Sequence, residues 1–239
     1  MSLLEVSGVT KRFGGIVANA AISFAVADGE LVGVIGPNGA GKSTLFDVIT
    51  GFYRPEAGRV RFQGAEITGR RPDEITRMGI GRTFQKLRPF TGMTVLENVM
   101  VGALLRAPEP AVAREQALHY LELVGLADQA RAYARELSTG QRKRLEMARA
   151  MATRPRLLLL DEVTGGVDQR SIPGLVGLIA RLREEGVTLL VIEHNMRVIM
   201  SIARRIIALH LGEKIADGPP EEVVRDRRLI EAYLGAHYA

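Results

Sequence analysis

Short apolar stretches punctuate the chain at Leu3–Val6, Ile22–Val26, Leu31–Ile35, Leu157–Leu160 and Leu189–Ile192. Their length and the loops that bound them predict strands. Apolar residues at helical spacing follow the later ones, in Leu45–Thr50, Arg142–Ala152 and Ile172–Glu184. Strands that alternate with helices imply an α/β fold, a mostly parallel sheet with helices on both faces. Near the N-terminus, Leu3–Val6, Ile22–Val26 and Val60–Phe62 follow one another without helices. That order predicts a small antiparallel β patch.

The middle of the chain reads differently. From Thr91 to Ala152 no segment has strand character. Within Ala111–Val124 the residues Val112, Leu118, Leu121 and Val124 recur at helical spacing, after a turn marked by Pro108 and Pro110. A helical subdomain over 86–155 is therefore expected, inserted into a core made of 1–85 and 156–239. Without repeats or a flexible linker, residues 1–239 read as a single domain.

Composition narrows the function. The chain of 239 residues has a net charge of +5, a modest excess spread along its length. That suits a polyanion such as a nucleotide, or a place near anionic lipid, and is too weak to argue for nucleic acid. Cysteine is absent, which removes disulfides and thiolate metal sites. The N-terminal stretch carries Glu5 before any long apolar run and does not read as a signal peptide. The runs Leu157–Leu160 and Val187–Ile192 are too short to span a bilayer, so any membrane role is expected through a partner.

The strongest motif is Gly36-Pro37-Asn38-Gly39-Ala40-Gly41-Lys42-Ser43, between an apolar strand and a helical run. It fits G-x-x-x-x-G-K-[ST], a cradle for phosphates. Its glycines let successive N–H groups converge on phosphate oxygens, and the next helix adds its positive end. Lys42 is expected on the β- and γ-phosphates, Ser43 on Mg²⁺, and Thr44 on the α-phosphate. Leu157–Leu160 runs into Asp161 and Glu162 at the carboxyl edge of a buried strand, where ligands of open sheets sit. Asp161 is expected to hold Mg²⁺ and Glu162 to polarise the attacking water. His194 ends another such strand, within reach of a γ-phosphate.

Leu137-Ser138-Thr139-Gly140-Gln141, followed by Arg-Lys-Arg-Leu, resembles the signature of ABC ATPases. Ser138 is a natural N-cap, with Gln141 completing a capping box. The resemblance covers essentially the whole chain. It implies a cytoplasmic-face, peripheral ATPase that binds ATP and Mg²⁺ and works as a head-to-tail dimer with a second ABC ATPase subunit. It also assigns Gln85 as the Q-loop glutamine that touches Mg²⁺, His194 as the switch histidine, Asp168 as part of the D-loop, and Phe13 as the aromatic that stacks on adenine. Ser138, Thr139, Gly140 and Gln141 then meet the partner's nucleotide. Three positions depart from the family pattern: Thr139 replaces Gly, Val163 replaces Pro, and Val167 replaces Leu.

TGFYRPEAG, MGIGRTFQ, TVLENVM, IEHNMRVIM and LIEAYLG look like the ATPase subunits of branched-chain amino acid (Liv-type) importers. Partners implied are membrane permease subunits and an extracytoplasmic substrate-binding protein, with no nucleic acid. Phe84, Leu87, Pro89 and Phe90, beside Arg82 and Arg88, form a candidate surface for a permease loop. Lipopolysaccharide-export ATPases share part of the pattern. A DNA-repair ABC ATPase needs longer segments than 86–136 provides, and a GTPase needs an Asn-Lys-x-Asp element that is absent. A nucleotide-gated structural partner is disfavoured by the presence of Gln85, Asp161, Glu162 and His194.

Overall fold

Alternation of apolar and polar residues carries the first two strands well beyond the short runs read from sequence. β1 (Ser2–Phe13) and β2 (Ile16–Ala27) form one long antiparallel hairpin. Leu4, Val6 and Val9 of β1 and Ile22, Phe24 and Val26 of β2 are buried, so one face of the hairpin meets the core. Register shifts between Val6 and Lys11 break the strict alternation. β4 (Ala57–Phe62) pairs with β1, and β5 (Ala65–Glu66) with β4, both antiparallel. The expected antiparallel patch is present.

The structure, a computed structural model, describes residues 2–234. Met1 and 235–239, which include the last glycine of LIEAYLG and both ends of the expected 1–239 domain, lie outside the described residues. The described residues divide into two compact units, 2–75 with 188–234, and 76–187. α2 (Pro72–Met78) runs across that boundary in sequence.

In the first unit, β3 (Leu31–Ile35) lies parallel to both β8 (Thr188–Ile192) and β9 (Arg205–His210), and β10 (Glu213–Gly218) pairs antiparallel with β9. Every residue of β3 and β8 is buried, as strands covered on both faces require. The helices of this unit include α1 (Lys42–Ile49), α7 (Met196–Ile202), α8 (Pro220–Val223) and α9 (Arg227–Leu234).

In the second unit, β6 (Ile80–Arg82) lies parallel to the fully buried β7 (Leu157–Asp161). Four helices accompany them: α3 (Val95–Ala103), α4 (Pro110–Leu123), α5 (Thr139–Ala152) and α6 (Ile172–Glu184). Between Thr91 and Ala152 the described residues hold helices and turns, with a single isolated bridge, Thr94 to Tyr133. α3 and α5 cross closely at Gly102. A Cβ there would stand 2.3 Å from the Arg149 carbonyl oxygen, so only glycine fits.

Candidate functional site

The cradle grows out of β3. Gly36 follows its last residue with φ 148°, in the region that favours glycine, and a Cβ would stand 2.1 Å from the Leu209 carbonyl oxygen. Both polar groups of this buried residue are engaged. Its N–H donates to the Tyr233 hydroxyl at 3.0 Å, and its carbonyl accepts from Lys42 Nζ at 2.7 Å. Lys42 also donates to the Pro37 carbonyl at 2.9 Å. The ammonium of this largely buried lysine thus sits over the loop it is expected to share with phosphate.

α1 begins directly after Gly41, with no side-chain cap and no acidic residue in its first turn. The N–H groups at its start keep their positive end for an anion. Asn38 and Gly39 are exposed at the tip of the loop, Ala40 is buried beneath it, and Ser43 and Thr44 are half-buried. Asn19, fully buried on β2, donates to the Gly41 carbonyl at 3.1 Å and pins the far side of the loop.

Phe13 closes β1 and is partly exposed. It packs edge-on against Tyr53 at 5.0 Å, with Lys11 Nζ over both rings at 5.2 and 5.8 Å. Tyr53 and Lys11 were not singled out from sequence, although TGFYRPEAG contains the tyrosine. His194 is exposed at the carboxyl end of β8, one residue before Asn195, the N-cap of α7. The parallel register pairs Val34 with Ile192, so β3 and β8 end at the same edge. That edge therefore carries both Gly36 and His194.

The second unit holds the carboxylates. Asp161 ends β7 almost fully buried, pairs with Arg82 at 3.3 Å, and donates its backbone N–H to the Thr83 hydroxyl at 3.1 Å. Glu162 follows with φ 51°, a conformation that non-glycine residues seldom adopt. Such strain persists where the surroundings over-determine it. Here Gln85 Nε2 donates to the Glu162 carboxylate at 2.8 Å, and Lys143 Nζ donates to the Glu162 carbonyl at 2.8 Å. The structure thus brings Gln85 and Glu162 together.

The signature turn opens α5 as its sequence predicts. Ser138 Oγ accepts from the Gln141 N–H at 3.3 Å, and Gln141 Oε1 accepts from the Ser138 N–H at 2.8 Å. Ser138 and Thr139 are exposed, and Gly140 is half-buried. Asp168 accepts from the Ser171 hydroxyl at 2.7 Å and from two backbone N–H groups. The hydroxyl bond is the main reason its carboxyl sits below the usual aspartate range. Val163, in place of the family's proline, is buried.

Around Gln85, the Arg82 and Arg88 guanidinium groups lie over the Phe84 ring at 5.0 and 6.0 Å, and Arg149 lies over Phe90 at 5.2 Å. Glu146 of α5 is buried and accepts the Arg88 N–H at 2.7 Å. Burial raises its carboxyl above the usual glutamate range. Lys143, Glu146 and Tyr233 all escaped the sequence reading. For Lys143 and Glu146 a charged residue on a buried helix face was the only available signal, whereas Tyr233 lies within LIEAYLG without a local pattern that marks it.

The family described as "ABC transporter" matches residues 20–165, and "Branched-chain amino acid ATP-binding cassette transporter" matches 213–239. The high-affinity branched-chain amino acid transport ATP-binding protein BraF of Pseudomonas aeruginosa is 43% identical, over 98% of each chain. A crystal structure of a nucleotide-free ATP-binding cassette from an ABC transporter superposes with a TM-score of 0.90 at 33% identity, covering 98% of this chain and 100% of that one. A dimeric cassette in a post-hydrolysis state, bound to ADP and Pi, gives 0.83 at 29% identity, covering 91% and 98%.

Proposed function

The chain belongs to the ABC transporter family of ATP-binding subunits, and from that premise we propose that it energises an importer of branched-chain or other hydrophobic amino acids. It binds nucleotide and is an ATP-hydrolysing enzyme. The substrate class is supported above all by the match over residues 213–239, a segment apart from the general ATPase motifs. Export of lipopolysaccharide is not favoured, because that segment carries the branched-chain description.

In this reading Gly36, Asn38, Gly39, Ala40, Gly41, Lys42, Ser43 and Thr44 hold the phosphates, and Phe13 stacks on adenine. Glu162 polarises water, with Gln85 and His194 assisting. Ser43, Gln85 and Asp161 offer only hard oxygen donors, the set that suits Mg²⁺, which would neutralise the phosphate charge. Ser138–Gln141 and Asp168 serve the nucleotide of a second ATPase subunit, as the dimeric relative suggests. Residues 1–85 and 156–239 act as the nucleotide-binding core of one cassette, with 86–155 as its helical subdomain.

No described helix is long and apolar enough to cross a membrane. The family reading adds permease subunits and a substrate-binding protein as partners, with this chain on the cytoplasmic face. Phe84 and the exposed Phe90, flanked by Arg88, suit the permease contact.

The test is ATPase activity of the complex that co-purifies with this chain, measured with its binding protein in liposomes. Leucine, isoleucine or valine is expected to stimulate turnover. Stimulation by an unrelated solute, with none by these three, would overturn the substrate class and leave the ATPase intact.

A further inference from the structure

Three hydrogen bonds, joined by the chain at 85–88 and by one turn of α5, close a ring around Glu162, entirely within the second unit. Lys143 of α5 holds the Glu162 carbonyl at 2.8 Å. Gln85 holds the Glu162 carboxylate at 2.8 Å. The chain from Gln85 reaches Arg88, whose N–H is held by Glu146 at 2.7 Å. Glu146 returns to α5, three positions after Lys143 and on the same helix face. Arg149, one turn further, donates to the Arg88 carbonyl at 3.0 Å and strengthens the last link.

Lys143 is 4% exposed and Glu146 2%. Burying two ionisable groups on one helix face is costly. Lys143 ends on the Glu162 carbonyl, and Glu146 engages the Arg88 N–H through one carboxyl oxygen while its other has no hydrogen-bond partner. Neither is placed to touch solvent, and each ends on backbone of a segment that carries a hydrolytic residue. Glu162 also has a backbone that needs restraint, at φ 51°. A group that must place a water to within a fraction of an ångström loses rate steeply when it drifts.

We infer that Lys143 and Glu146 are positioning residues that hold Glu162 and Gln85 in working register through α5. The inference rests on the reading of Glu162 as the residue that polarises water. It adds a consequence for the dimer. α5 starts at the signature turn, so the helix that meets the partner's nucleotide also sets the backbone of this subunit's own hydrolytic carboxylate.

The test uses the purified full chain and its Lys143→Met and Lys143→Arg variants. Met keeps the aliphatic stem and removes the donor, whereas Arg keeps a donor. Lys143→Met is expected to lower kcat about tenfold while the Kd for ATP stays within about twofold, the pattern of lost transition-state positioning. Hydrogen exchange is expected to rise in 83–90, the segment that Glu146 and Gln85 tie into the ring. Lys143→Arg is expected to recover most of both.

Unchanged turnover and unchanged exchange at 83–90 in Lys143→Met would overturn the inference. So would weakened ATP binding with faster exchange throughout the chain and no recovery by Arg, which marks general loosening. Glu162→Gln separates the two levels. If that variant still turns over ATP normally, the role of Glu162 itself is wrong, whatever Lys143 does.

Discussion

Gly36 shows how little freedom a phosphate loop has. Its φ and the 2.1 Å approach of Leu209 exclude any side chain, while its N–H and carbonyl are both bonded. Gly36→Ala is therefore expected to displace the loop from β9 and weaken ATP binding by at least about tenfold, the effect of roughly 1.4 kcal/mol. Nucleotide titration with a fluorescent ATP analogue measures it; an unchanged Kd would refute the expected strain. The eight residues of the cradle were readable in sequence because adjacent positions build them. The distant grips on the site residues were not. Tyr233 lies 197 positions from Gly36, and Lys143 lies 19 from Glu162. A pattern confined to neighbours in the chain cannot register such pairs.

At the scale of elements, ends were more legible than lengths. The capping box at Ser138 was read from sequence and is present. An equal one at Thr94 starts α3, where Glu97 accepts from the Thr94 N–H at 2.7 Å and hydroxyl at 2.9 Å. Thr94→Ala is expected to cost about 1 kcal/mol of stability at neutral pH. Thermal unfolding reads this as a lower Tm.

The bonds from Thr94, its backbone N–H first, hold the Glu97 carboxyl below the usual glutamate range. The folded value is the lower one, so the stabilisation is full above the ordinary glutamate range. It is lost as pH falls through the depressed value. The gap between wild type and Thr94→Ala is expected to narrow on acidification over that window. A gap that widened would contradict the assigned bonds. By contrast, β1 extends to Phe13 although its apolar run stops at Val6. Register shifts after Val6 put Gly8 and Lys11 where alternation would ask for apolar residues, so the pattern faded while the strand continued.

For the whole molecule, order along the chain proved more informative than composition. A charge of +5 and the absence of cysteine excluded classes without choosing one. The sequence of cradle, Gln85, signature turn, Asp161-Glu162 and His194 identified the family, and the match over 20–165 agrees with it. The cradle belongs to the first unit and Glu162, the carboxylate proposed to polarise water, to the second, so neither unit alone contains both. Glu162→Gln with ATP is expected to trap a slowly dissociating dimer, with this chain or its paired ATPase subunit, by light scattering on a sizing column. A variant that stays monomeric with either and hydrolyses ATP at the wild-type rate would refute the two-subunit site.

The bond between Tyr233 and Gly36 has an optical consequence. The chain has five tyrosines and no tryptophan, so tyrosine emission is not drained into indole. One tyrosine bonds the first residue of the cradle, and another packs on Phe13 beside the expected adenine position. The unlabelled protein thus carries one chromophore on the cradle and another beside the expected adenine position, and its own ultraviolet emission is expected to change as ATP arrives and departs.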